Sequence, residues 1–382
     1  MNNKILLSFA IPTYNRANSL EKLLNNVLPQ AKELKDDVEI CISDNGSTDN
    51  TREVVAGFKN KYPDLTIKYS KNKENLGVDA NIIKVADMCD GDFVWTFGDD
   101  DLIVSSGLNA VVSFLKKNKE NYIKDIGLIV LRVKSYFIDK QTGKKTIYVD
   151  TFDKNKPETI KIDRKEVIGL SFPQIAFLSI LIYNNSLLKG LLAEDRAFAE
   201  KGIGTSHNHI VLLSLMFMKY PHANGVVFNK EMVSQELSQY KYFIEDKFML
   251  HYQMQKKINN LLLSYKHTSD DYAPLFTQRY KGLLRWGVVI DMMVMRAFKS
   301  FNYFSYFGCL KLFFKHATFI DALLFSFTFS VLFLIPPVIL TSLYKGLLII
   351  RHGKKWKEKW DFIDNATSFA FKGTRRRNEQ PH

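Results

Sequence analysis

Three adjacent aspartates, Asp99, Asp100 and Asp101, follow an apolar run in this 382-residue chain. Neighbouring carboxylates repel one another, and local structure alone gives no reason to gather them there. A divalent cation bound to a diphosphate does give one, because Mg²⁺ or Mn²⁺ takes a few carboxylates plus phosphate oxygens. An acidic turn by itself more often describes a solvated loop, so its position after an apolar strand is what gives it weight. A second polar cluster, Asp44-Asn45-Gly46-Ser47-Thr48-Asp49, closes another apolar run. Asp49 or Asn50 suffices to cap a helix starting near Thr51, which leaves Asp44 unexplained. A carboxylate at that place can accept a hydrogen bond from a nucleobase N–H. A third cluster, Pro12-Thr13-Tyr14-Asn15-Arg16, offers backbone groups and a guanidinium to a base, a ribose or a phosphate.

The elements between these clusters alternate. Residues 5–11, 38–43, 66–69 and 93–97 read as short, largely apolar strands, as in a buried parallel sheet. Residues 17–34 carry Leu20, Leu23, Leu24, Val27 and Leu28 at helical spacing, with Asn18 or Ser19 as a cap. Residues 51–62 and 81–88 also read as helices. This rhythm predicts a parallel sheet with crossover helices. Ligands of such sheets bind at the carboxyl ends of the strands, where the polar clusters lie. Further on, residues 126–137 and 146–152 predict a hairpin around Gln141-Thr142-Gly143. The apolar stretch 167–184 is expected to return to the sheet, and 210–218 to form a helix. A boundary is expected near residues 233–239.

Composition fits a globular protein, with 46% apolar and 24% charged residues. Cys41, Cys89 and Cys309 form no C-x-x-C pair, so neither a zinc site nor a disulfide framework is expected. The formal net charge of +13 is concentrated in the C-terminal part, which points to an anionic partner there. Residues 279–315 interleave Arg and Lys with Trp, Tyr and Phe, as a surface on anionic lipid would. No nucleic-acid-binding signature accompanies them, so no nucleic acid is expected as a partner. Residues 322–344 lack any charge but contain Pro336-Pro337 and are flanked by basic residues on both sides. Those facts predict a re-entrant or interfacial helix pair, with a single span or a buried core helix as the alternatives.

Taken in order, Pro12–Arg16, Ile42–Asp49, Asn75-Leu76-Gly77, Asn81 and Gly98–Asp101 resemble family 2 glycosyltransferases of the GT-A fold. The likeness is to abequosyltransferase-like enzymes of O-antigen and capsule synthesis. It is close over residues 5–115 and loose to about 235. The resemblance implies a nucleotide-diphosphate sugar donor, Mg²⁺ or Mn²⁺, and inversion at the anomeric carbon. It also implies that Asp44 contacts the base and that the acidic cluster supplies the D-x-D function. The expected donor contacts are Pro12, Thr13, Tyr14, Arg16, Asp44, Asn45, Asn75, Gly77, Asn81 and Asp99. Asp100 and Asp101 are the expected cation ligands. Aligned by Leu102-Ile103, the usual D-x-D falls on Gly98-Asp99-Asp100, with glycine in the first acidic place. Alternatively, Asp99-Asp100-Asp101 is itself the D-x-D.

An inverting transfer needs a group to take the acceptor's hydroxyl proton. Where the family often carries an acidic pair, this chain has His207-Asn208-His209. Histidine serves as a base near neutral pH or as a further cation ligand, and His209 and His207 are the expected catalytic residues. Glu194-Asp195 is the competing pair, and ordinary polar caps are the plain alternative for both.

The expected architecture is therefore an α/β GT-A domain over residues 1–235 and a basic, aromatic helical region over 236–316. Hydrophobic membrane-associated helices over 317–352 and a basic tail over 353–382 follow. The expected acceptor is a lipid-linked glycan in bacterial surface polysaccharide synthesis. With no secretory segment at the start, the expected place is the cytoplasmic face of the inner membrane. Two rivals remain: a nucleotidyltransferase, which would normally show a Gly-rich basic loop near the first strand, and a non-catalytic sugar-nucleotide-binding membrane protein.

Overall fold

The computed structural model describes residues 4–118, 125–138, 145–150, 155–170, 175, 177–236, 257–269 and 272. In the C-terminal part it describes 327, 330–331, 334–352 and 357. The chain divides into two compact units, Met1–Glu236 with Lys257–Phe276, and Leu237–Lys256 with Thr277–His382.

The first unit is built on strands β1 (Leu7–Thr13), β2 (Val38–Asp44), β3 (Ile67–Lys71) and β4 (Phe93–Thr96), crossed by helices α1 (Ala17–Lys32), α2 (Thr51–Lys61) and α3 (Val78–Asp87). Then come β5 (Asp101–Ile103), α4 (Gly107–Asn118), β6 (Ile126–Ile138), β7 (Lys145–Asp150), β8 (Thr159–Ile162) and α5 (Arg164–Gly169). β9 (Leu181–Asn184), α6 (Asn185–Ala199), α7 (Asn208–Lys219) and β10 (Asn224–Glu236) complete it. The sheet runs β3-β2-β1-β4-β9-β6-β10-β5, with β7 beside β6 and β8 beside β10. β3, β2, β1 and β4 are mutually parallel, as their alternation with helices predicts. Every residue of β1 and β2 is buried, because crossover helices cover both faces of such strands. β9 enters antiparallel between β4 and β6, which is how the 167–184 stretch returns to the sheet. β6 and β7 form the expected antiparallel hairpin, while residues 139–144 at its tip lie outside the described residues.

Helix α1 buries Leu20, Leu23, Leu24, Val27 and Leu28 on one face. Its first free N–H groups are not met by Asn18 or Ser19, since the N-cap is Arg16 and makes no side-chain cap bond. Instead Asp49 reaches across from the β2–α2 turn to accept from the Ala17 N–H at 3.0 Å. Below the site, Phe9, Trp95 and Phe97 pack ring against ring, with centroids 4.8–5.5 Å apart. Offset and edge-on pairs of this kind anchor β1 to β4.

The C-terminal part corrects an expectation. Among the described residues no helix is long and apolar enough to cross a membrane. The one labelled element there, α8 (Pro337–His352), has 16 residues. At about 1.5 Å per residue it spans roughly 24 Å, short of the roughly 30 Å of a hydrocarbon core. It starts at Pro337, where a missing N–H costs nothing, and Lys345 interrupts its apolar sequence. The helical backbone breaks at residues 335–336, ahead of α8, at the proline pair where the sequence predicts a break. Where residues 317–352 are described, this corrects the expected hydrophobic membrane-associated helices: none of them is long and apolar enough to cross a membrane. A membrane-spanning C-terminal anchor, and attachment at the inner membrane through such a span, are therefore not supported among the described residues. The basic, aromatic stretch 279–315 and most of 322–336 lie outside the described residues.

Candidate active site

Parallel pairing sets β1 and β4 side by side and brings the turns that follow them together. After Thr13 the chain turns through Asn15, held at φ 50°, and enters α1. Thr13 Oγ1 donates to Asp99 Oδ2 at 2.7 Å. Arg16 Nη1 donates to Asp99 Oδ1 at 2.9 Å and to Asp100 Oδ2 at 2.7 Å. Burial pushes the Asp99 carboxyl above the ordinary range, against the pull of Arg16 and the Thr13 hydroxyl. Burial likewise disfavours the charged Arg16, but Asp99 and Asp100 outweigh it and hold the guanidinium more firmly protonated.

The three aspartates point three ways. Asp99 is buried against Thr13 and Arg16, and the Asp100 side chain is 56% exposed. Asp101 begins β5 and accepts from Ser179 Oγ at 2.5 Å. Ser179 also accepts the Gly98 N–H at 2.8 Å and bonds Trp95 Nε1 through its carbonyl at 2.8 Å, so one serine fixes both ends of the acidic turn. The glycine in the first acidic place has a steric reason. A Cβ at Gly98 would sit 3.3 Å from Asp100 Oδ1, Asp101 Oδ2 and Ser179 Oγ alike. A side chain there would need these three oxygens to give way by a few tenths of an ångström.

The turn after β2 is knitted to the same edge. Asp44 is fully buried; its Oδ1 accepts the Ser47 N–H at 2.7 Å and its Oδ2 the Tyr69 hydroxyl at 2.6 Å. Gly46 adopts φ +81° and lets its backbone approach Glu74, whose carbonyl carbon would stand 2.8 Å from a Cβ. Asn45 clamps the turn before α3. Its Nδ2 donates to Asn75 Oδ1 at 2.7 Å and the Gly77 carbonyl at 3.2 Å, and its Oδ1 accepts the Leu76 N–H at 3.0 Å. Asn81 accepts from Ser43 Oγ at 2.7 Å and donates to the Ser43 carbonyl at 2.9 Å. Asn15 ties this turn to the first, accepting the Thr48 N–H at 2.7 Å and giving its own N–H to Ser47 Oγ at 2.9 Å. Pro12 lies within β1 opposite Ser43. Tyr14 is 39% exposed and Leu76 38%.

The histidines sit on a separate turn before α7. His207 is half-buried and His209 buried, with ring centroids 5.6 Å apart. Burial lowers the His207 pKa below its usual 6.5, with the Thr205 carbonyl and Asp79 opposing. Sequence reading passes over Asp79, yet its carboxylate accepts the N–H groups of Gly204, Ser206 and Asn208 at 2.8, 2.8 and 3.0 Å. A lone first-turn aspartate gives no signal of that reach in the sequence. The rival pair Glu194-Asp195 is engaged elsewhere. Asp195 accepts from Lys219 at 2.7 Å, Lys266 at 2.6 Å and Tyr265 at 2.9 Å, and Glu194 pairs with Lys219 at 2.7 Å.

Among the described residues no group of three or more His, Cys, Asp or Glu side chains could hold a metal ion by itself. The donor chemistry here suits a different mode. Mg²⁺ in particular keeps water and binds through one or two carboxylates plus substrate phosphate oxygens. Asp100, exposed beside Asp99, fits that mode, whereas the buried Asp101 is already bonded to Ser179.

Comparison with known proteins shows what the chain is similar to. Residues 8–166 match the family described as Glycosyl transferase family 2. The chain is 33% identical over 216 residues to Abequosyltransferase RfbV of Salmonella typhimurium, covering 56% of this chain and 61% of that protein. It is 31% identical over 199 residues to the GalNAc(5)-diNAcBac-PP-undecaprenol beta-1,3-glucosyltransferase of Campylobacter jejuni, covering 52% and 56%. The chain thus spans about three fifths of the length of these relatives. The crystal structure of Staphylococcus aureus TarS 1-349 in complex with UDP-GlcNAc superposes with a TM-score of 0.50 at 16% identity, over 76% of this chain and 79% of that one, which is a likeness of fold.

Proposed function

Because residues 8–166 match glycosyl transferase family 2, we propose that this protein is an inverting glycosyltransferase. It moves a sugar from a nucleotide-diphosphate donor to a glycan acceptor. The observation that carries this reading is the joining of Thr13, Arg16, Asp99 and Asp100 where β1 and β4 end. A cation and two charged clamps there suit a leaving diphosphate. Base recognition belongs to the neighbouring Asp44 turn. With both oxygens of Asp44 already bonded, the carboxylate shapes that turn, and Tyr14 and Leu76 offer apolar faces beside it.

In the proposed reaction the acceptor oxygen attacks the anomeric carbon from the side opposite the diphosphate. The new C–O bond forms as the bond to the diphosphate breaks, and the acceptor's proton passes to a histidine. Arg16 meets negative charge on the diphosphate, and Asp99 holds Arg16 through one oxygen while its other oxygen accepts from Thr13. A divalent cation, Mg²⁺ or Mn²⁺, would be held by Asp100 with the diphosphate and would neutralise charge growing on the leaving group. His207 is the leading base, with His209 packed beside it. The burial that lowers its pKa leaves the ring neutral and able to take a proton at pH 7. Asp195, with three donors on it, is a poor rival. The Campylobacter relative's name supports a polyprenyl-diphosphate-linked glycan as the acceptor.

Two outcomes test this. With Mn²⁺ and no acceptor, slow hydrolysis of a cognate donor should release nucleoside diphosphate. Release of pyrophosphate instead would make the protein a nucleotidyltransferase. His207→Gln should lower kcat by about 100-fold or more. Since the base works unprotonated, turnover of the unaltered enzyme should fall as pH drops through a midpoint below 6.5. An acid limb centred well above 6.5 would exclude His207 as the group responsible.

A further inference from the structure

We propose that Asp79 is a positioning residue, whose carboxylate fixes the turn carrying His207 and His209 to the segment that closes the donor side of the site. The inference rests on the reading of a histidine as the base.

An aspartate in the first turn of a helix ordinarily serves its own helix, accepting N–H groups left free there. Asp79 does otherwise. It is 2% exposed, although it lies only two residues beyond Gly77, the N-cap of α3. All three of its backbone partners lie 125 to 129 residues further along the chain. Those donors, Gly204, Ser206 and Asn208, run into the N-terminus of α7, and together they form a concave set of N–H groups suited to an anion. The backbone is shaped to make that set. Gly204 stands at φ +84° and Ser206 at φ +56°. A serine in the left-handed region persists only where its surroundings hold it there. The Asp79 carboxylate is the group that does so.

The other side of Asp79 is equally tied. Asn45 bonds both Asn75 and the Gly77 carbonyl, so Asp79 begins where the donor-side clamp ends. A single carboxylate thus links the Asp44–Asn45 turn, through the start of α3, to the backbone of the histidine turn. Among the charged and titratable groups facing that turn are Asp79 from α3 and His209 from α7. Lys257 also faces it, its Nζ bonding the Ile203 carbonyl at 3.2 Å. Asp79 further opposes the burial that disfavours a protonated His207.

The test compares Asp79→Asn and Asp79→Glu in the full chain. Asp79→Asn should lower kcat by about 100-fold, since a displacement of the base by an ångström costs that much, while KM for the donor changes little. The His207 ring titration, followed by NMR, and the acid limb of kcat should move together to lower pH. Asp79→Glu keeps the charge but moves the oxygens by one methylene, so it should lower kcat without moving either midpoint. A merely structural residue would lower the yield of folded protein and leave kcat per folded molecule in place in both variants. If Asp79→Asn keeps kcat and the His207 titration unchanged while His207→Gln is inactive, the assignment to Asp79 is overturned alone. If His207→Gln retains full turnover, the base reading falls and this inference with it. Should Asp79→Asn not fold, an Asp79→Glu protein with undiminished kcat overturns the proposal.

Discussion

Asp100→Asn is expected to lower kcat by about 100- to 1,000-fold, the loss usual when one group stabilising transition-state charge is removed. The change keeps the side chain's size and removes its charge. Asp100 is the most exposed of the three aspartates, with its side chain 56% accessible, and it bonds Arg16. Arg16 keeps Asp99 in the variant, so the turn should hold its shape and the melting temperature should scarcely move. The concentration of Mn²⁺ needed for half-maximal turnover should rise as well, because the cation would lose its anionic protein ligand. Steady-state rates over a Mn²⁺ series, beside a melting curve, separate this from a folding defect. Unchanged rates and unchanged cation dependence would remove Asp100 from the site.

The second large effect is on stability. Asp195 interrupts α6 with non-helical backbone angles, φ −126° and ψ 24°, and gathers Lys219, Lys266 and Tyr265 around a side chain only 7% exposed. Lys219 is equally buried. Burial works against the charged carboxylate, but the bonds from Lys219, Lys266 and Tyr265 outweigh it and hold Asp195 far below the usual carboxylate range. Asp195→Asn leaves a buried ammonium with Glu194 alone, whose side chain is 68% exposed. The expected cost is about 3 kcal/mol, or a fall of roughly 5–10 °C in melting temperature. Because the folded-state pKa is depressed, this contribution is whole above the unfolded carboxylate value of about 3.9. It fades as pH falls below that toward the folded value. The gap between the melting temperatures of the two proteins should therefore narrow in acid, and a gap undiminished between pH 5 and pH 2 would contradict the charge-based account.

Much of the N-terminal half was legible because its signals are local. β1 and β2 are unbroken apolar runs, as strands covered on both faces must be. α1 repeats Leu at helical spacing. The polar turns follow strand ends, so parallel pairing alone brings Thr13, Asp44 and Asp99 to one edge. α4 carries the same helical signal in Leu108, Val111, Val112 and Leu115, which was there to be read. β10 is harder, because register shifts between Phe228, Glu231 and Val233 break the alternation that would mark a strand. β5 has three residues, too few for any pattern. The two supports the sequence hides most fully are Ser179 and Asp79. Each acts on a turn some 80 to 130 residues away in sequence, and only the tertiary fold connects them. The C-terminal apolar run misled for a related reason. Charge-free length and the proline pair predict a membrane-associated helix pair, but the described helix after the prolines has only 16 residues, too few to cross a membrane.

The account depends most on a donor site where the ends of β1, β2 and β4 meet, completed by a cation at Asp100. Calorimetric titration of the full chain with UDP, GDP, CDP and dTDP, each with Mn²⁺ and again with the cation chelated, addresses it directly. One of the four should bind, at least about tenfold more tightly with Mn²⁺, a difference of about 1.4 kcal/mol. If none binds in either condition, or if the affinity of one is the same with and without the cation, the proposed site is wrong.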